Sequence, residues 1–148
     1  MPNGDGPFLN AALICDRVLQ EQDGTLSAIR IIDRIMRLVP AADSTDELEP
    51  FQQQIWLLIS FKSGAARGRF QVSLQIEKPS GERGDPIRLP VHFEGEDRGV
   101  NIVLPTIFQA DQEGLYWFDV SFSGERITRM PLRVLYQPQP QTGPSADA

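Results

Sequence analysis

The sequence predicts an all-β domain of about eight antiparallel strands in a two-layer sandwich, immunoglobulin-like or of related topology, and three observations lead there. Apolar residues recur with period two rather than 3.6 in nearly every readable segment. Turn-forming clusters of Gly, Pro, Asp and Ser separate those segments at intervals suited to short strands. The 148 residues also suffice for one hydrophobic core, because a chain of this size buries roughly two-thirds of its unfolded surface without disulfide or metal.

Taken in order, residues 1–7, rich in Gly and Pro, are expected to be a flexible N-terminus, and residues 8–136 the sandwich. Strands are expected near 11–20, 25–38, 53–62, 69–77, 86–94, 98–105, 114–123 and 126–136. The pattern is cleanest where Phe70, Val72, Leu74 and Ile76 alternate with polar residues, as in a strand with one buried and one wet face. Ile87, Leu89, Val91 and Phe93 repeat it, as do Tyr116, Phe118, Val120 and Phe122. Only Thr106 to Gln112 suggests a short helical turn. Pro131 belongs at a sheet edge or bulge, because proline cannot donate to a ladder. The stretch around Tyr116 has the look of a closing hairpin, and Tyr116 is either a corner tyrosine bonded to backbone or an ordinary core aromatic. Residues 40–50 form a long acidic connection, and residues 137–148 a Pro/Gln-rich tail with too little apolar surface to order.

The first hairpin carries most information. With Gln22-Asp23-Gly24 as a three-residue loop, Glu21 pairs with Thr25 and Asp16 lies opposite Arg30; a two-residue turn would set Arg17 against Arg30. Opposite charges support a sheet and like charges oppose it by about 0.2–1 kcal/mol, so the first register is expected. Strict alternation then places Leu13, Cys15, Leu19, Ile29 and Ile31 on one face, and Ile14, Val18, Ala28 and Ile32 on the other. Both faces are apolar, so something should cover the second: the segment around Phe8 and Leu9, a third layer, or another protein chain.

Ala11 to Val18 with its Cys15-Asp16 pair, the Asp23-Gly24 turn, the Leu26-Ser27 strand ending near Asp33-Arg34, and the late Gly114-Leu115-Tyr116-Trp117-Phe118 hairpin together resemble an uncharacterised family of small bacterial β-sandwich proteins. The resemblance spans about residues 8–136. It implies a fold and a bacterial source, and no activity or functional residue.

Composition narrows the function. A net charge of -6 repels phosphate backbones, so nucleic acid is not an expected partner. The absence of a signal-like N-terminus and of a run of ~20 apolar residues points to a cytoplasmic protein without membrane insertion. The single Cys15 and single His92 cannot assemble a zinc site or an intrachain disulfide, and no cofactor is expected. His92 reads as a surface or half-buried structural residue and Cys15 as a small core hydrophobe whose carboxylate neighbour would raise its pKa. Gly64 to Arg69 lacks the ending of a phosphate cradle and reads as a flexible loop. The 12 Arg against two Lys read as compositional bias.

No catalytic constellation emerges, so a non-enzymatic protein-interaction or structural domain is expected, binding a protein partner or itself. The alternative is a binding module, for carbohydrate through Trp56 and Trp117, or for calcium through Asp43, Asp46, Glu47 and Glu49, although those four are better read as a solvated charge run.

Overall fold

Period-two alternation is realised as seven strands in the computed structural model, which describes residues 5–39 and 49–138. They are β1 (Phe8–Gln20), β2 (Leu26–Ile31), β3 (Arg34–Val39), β4 (Phe51–Glu77), β5 (Ile87–Ala110), β6 (Gly114–Phe122) and β7 (Glu125–Pro138). No helix occurs among the described residues, and Thr106 to Ala110, expected as a helical turn, completes β5.

The count differs from eight because four expected strands are halves of two long ones. β4 and β5 pair antiparallel almost throughout, from Phe51↔Ala110 to Leu74↔Ile87. Their pairing breaks register between Lys62 and Arg67, where the double strand bends. Gly64 (φ 57°) serves the bend in two ways: its backbone is left-handed, and a Cβ there would collide with the Asp5 carbonyl oxygen. The presumed flexible loop at 64–69 is therefore part of a strand, with Ala66 buried. In the other direction, the single strand expected at 25–38 divides at Ile32-Asp33 into β2 and β3, which lie at opposite ends of the sheet order β2-β1-β4-β6-β7-β3.

The bend folds one sheet into two packed layers. The first half of β4 holds β1 on one side and the second half of β5 on the other; the second half of β4 holds β6 and the first half of β5. β7 follows β6 antiparallel, and β3 joins β7 in parallel, a departure from the all-antiparallel expectation. Between the layers Ile55, Leu57, Ile59 and Phe61 meet Tyr116, Phe118, Val120, Leu132 and Val134. Phe61 packs on Phe93 and Phe122, and Phe108 on Tyr116 and Phe118. The inward sets expected for β4, β5 and β6 are the observed ones, with Ile87 exposed at the strand start.

Local chemistry closes the sandwich. The Tyr116 side chain is fully buried, and its hydroxyl oxygen accepts from the Asp111 and Gln112 amides at 3.1 and 3.0 Å, so this residue is both core aromatic and corner. Ser123 and Gly124 both take positive φ, as a two-residue type I′ turn requires between Phe122 and Glu125. Pro131 lies where its missing N–H costs nothing. The Arg133 amide points to the β3 side, bonding the Asp33 carbonyl, and two residues earlier the same side precedes the start of β3.

Of the segment expected to be flexible, residues 5–7 are held: the Ala65 amide donates to the Asp5 carbonyl, and Pro7 is buried. Gln137 and Pro138, expected in the tail, extend β7 against β3.

Candidate functional site

Two surfaces stand out once the core is accounted for, one apolar and one polar. The first is built on the opening hairpin. Its register is the expected one: the Glu21 amide bonds the Thr25 carbonyl, Gly24 takes φ 88°, and Arg30 Nε meets Asp16 Oδ2 at 2.6 Å. The Asp23 carboxylate accepts from both the Thr25 amide and hydroxyl, which holds its pKa below the usual carboxylate range.

The strict two-face assignment of that hairpin does not survive. Cys15 and Val18, expected on opposite faces, share one buried cluster with Leu58, against which Leu13, Leu26, Ala28, Trp56 and Val103 pack. β1 leaves β4 at the Cys15↔Trp56 pair, and Arg30 interrupts the pleat of β2 with φ 58°. A two-stranded ribbon twists more than a wide sheet, so beyond this point the hairpin end carries Val18, Leu26 and Ala28 onto the outer face of its own layer. The cover is intrachain. Cys15 is inaccessible, and burial, with Asp16 adding to it, pushes its thiol pKa up.

What the hairpin leaves open lies along residues 29–38. Ile29, Ile31, Met36 and Leu38 are four of the seven exposed large apolar side chains among the described residues, and all four sit on β2 or β3. Those strands are the two ends of the sheet order, each paired on one side only among the described residues. Their unpaired amides and carbonyls face outward beside apolar side chains. Sequence reasoning named Ile29 and Ile31 but buried them in a face, because one strand was expected where there are two edges.

The second surface is polar. On the outer face of the other layer a groove of about 590 Å³ has Gln71, Ser73, Gln75 and Ser121 as its floor and Arg83, Arg88 and Arg126 on its walls. Ladder register aligns four of these in a row, with Arg88 opposite Ser73, Ser73 opposite Ser121, and Ser121 opposite Arg126. Beside the row lies Asp119, 2% exposed. Its carboxylate accepts from Arg129 Nε at 2.8 Å and Arg83 at 3.0 Å, with Arg126 at 3.9 Å. Arg129 also reaches Glu77 at 3.2 Å and lies 4.3 Å over the Trp117 ring. None of these arginines stood out in the sequence. The available signal was Asp119, a carboxylate in the densest apolar strand, which must be paired when buried.

The residues singled out from sequence are dispersed. Trp56 is half-buried in the hairpin cluster and Trp117 is half-buried beneath Arg129, on different layers, so they form no common stacking platform. His92 is exposed, paired across the ladder with Arg69. Glu49 is exposed and its carbonyl accepts from the Tyr136 hydroxyl, whereas Asp43, Asp46 and Glu47 lie outside the described residues. Among the described residues no group of three or more His, Cys, Asp or Glu is placed to hold a metal.

Residues 10–135, nearly the whole sandwich, match the pattern of DUF6941, a family of unknown function. The chain belongs to that family. No curated protein matches it. Among solved structures, this DUF6941 member is similar to an immunoglobulin-like protein from Pseudomonas aeruginosa, with 11% identity over 89% of this chain and 99% of that one and a TM-score of 0.42. It is similar also to a β-glucosidase from Listeria innocua in complex with isofagomine, with 13% identity over 61% of this chain and 16% of the enzyme and a TM-score of 0.38. Likenesses this distant carry no function across.

Proposed function

We propose that this DUF6941 domain is a non-enzymatic protein-interaction module that accepts a strand of another protein chain along the edges that β2 (residues 26–31) and β3 (residues 34–39) leave open among the described residues. The observation that carries the reading is the coincidence there of unpaired strand backbone and exposed Ile29, Ile31, Met36 and Leu38. Strand addition draws affinity from main-chain hydrogen bonds and selectivity from alternate side chains, and these edges offer both. Arg30 and Arg34 pair with Asp16 and Asp33, and Arg37, with no carboxylate partner among the described residues, favours a partner strand carrying a carboxylate. A non-enzymatic role is supported by the two residues that catalysis would recruit first: the thiol of Cys15 is buried and its pKa raised, and His92 faces outward on an open strand.

A second copy of the chain is the first partner to examine. Light scattering after size exclusion is expected to show a concentration-dependent dimer that Ile31→Lys with Met36→Lys abolishes. A photo-crosslinker placed at Ile31 extends the test to other partners. A strict monomer whose crosslinker captures no protein at a defined stoichiometry would remove the reading.

A further inference from the structure

We propose that the arginine-walled groove on the outer face of β4, β5 and β6 is a binding site for a ligand presenting phosphate or carboxylate oxyanions. This goes beyond the interaction edge and involves a different set of residues. The first reason is charge. The chain carries a net charge of -6, yet the groove is lined by Arg83, Arg88 and Arg126, whose one carboxylate partner within 4 Å among the described residues is Asp119. The lining itself contains no carboxylate among the described residues. Three guanidinium groups share one buried carboxylate along a concave polar surface, where field lines concentrate.

The second reason is order. The row Arg88–Ser73–Ser121–Arg126 crosses four adjacent strands, which sets its two arginine Cα atoms about 14 Å apart, three strand spacings. Arg88 and Arg126 line the groove at the two ends of this row, with Ser73 and Ser121 between them. Such a floor offers neutral donors beneath charged ones, the arrangement that binds an oxyanion through charge-assisted hydrogen bonds. Arg83 enters from the β4–β5 loop, and that loop is fixed: the Gln75 side-chain amide donates to the Gly84 carbonyl, and the Gly84 amide to that of Ile76.

The third reason is the use of Asp119. Its buried carboxylate engages Arg129 and Arg83, so Arg83 is oriented before any ligand arrives. Arg126, at 3.9 Å, is held loosely, and Arg88 makes no ion pair among the described residues. These two are the guanidinium groups free to engage a ligand. The groove's size falls within the range of small-molecule sites, roughly 300–1,000 Å³.

The test uses the full chain with two probes, inorganic pyrophosphate and citrate, each against sodium chloride of equal ionic strength. Saturable stabilisation in a thermal melt, above that of the salt control, is expected with at least one probe. Pyrophosphate alone would assign phosphate chemistry, citrate alone carboxylate chemistry, and both a general oxyanion site. Arg88→Gln and Arg126→Gln, at exposed positions where folding is undisturbed, should each weaken binding about tenfold or more. A response to both probes no larger than that to salt, or variants that bind as the parent does, would overturn the proposal.

Discussion

The two outer faces of this sandwich are laid on the same two strands yet have opposite chemistry. In the first half of β4, Trp56 and Leu58 point outward into a row that runs Ile31, Cys15, Trp56, Pro105. In the second half, Ser73 and Gln75 point outward, and the corresponding row runs Arg88, Ser73, Ser121, Arg126. One face is dry and carries a small second core under the end of its own hairpin; the other is wet and gathers arginines around one buried carboxylate. The inward faces, by contrast, are predominantly apolar. The fold therefore fixes only the inside of the sandwich, and the two exteriors can specialise independently.

Single substitutions should separate the two exteriors. The largest effect is expected at Asp119, where Asp119→Ala leaves Arg129 without its main partner; a loss of about 3 kcal/mol should appear in urea unfolding, moderated because the arginines are partly solvated. Leu58→Ala on the dry face should cost about 2–3 kcal/mol by opening the second cluster. Ser73→Ala, on the wet half of the same strand, should stay within about 0.5 kcal/mol. If both β4 substitutions cost the same, the contrast between the faces is wrong.

A smaller loss, about 1–2 kcal/mol, is expected for Tyr116→Phe, which strands the Asp111 and Gln112 amides. Burial comes first among the causes that raise the pKa values of Tyr116 and Cys15 in the folded state. Both groups thus contribute stability that is complete below their unfolded values and lost as pH rises through the folded ones. Unfolding midpoints should fall from roughly pH 9 upward. In Tyr116→Phe and Cys15→Ala that alkaline decline should be shallower. At the acid end, Asp111 is held low by the Lys78 hydrogen bond at 2.8 Å, so its contribution persists above the usual carboxylate pKa and fades as pH falls through the folded value. The smallest effect on stability, within about 0.5 kcal/mol, is expected for Ile31→Lys, which should act on association alone.

Much of this could be read before the structure. Alternation at Phe70–Ile76, Val91–Phe93 and Tyr116–Phe122 assigned inward faces correctly, because period two depends only on the local pleat. The Asp16–Arg30 register followed from pairwise charge across a turn of known length. Family membership followed from motifs spread along the chain. Tertiary structure alone decided the rest. β4 bends through Gly64 rather than ending there, with β5 paired alongside it, because a close pass of Asp5 and Gly6 holds the bend. Residues 25–38 became two edges because Ile32-Asp33 sends the chain to the other end of the sheet. Asp119 found its arginines from β7 and from the β4–β5 loop. These outcomes depend on which strands become neighbours, and neighbour choice across tens of residues leaves no period in the sequence.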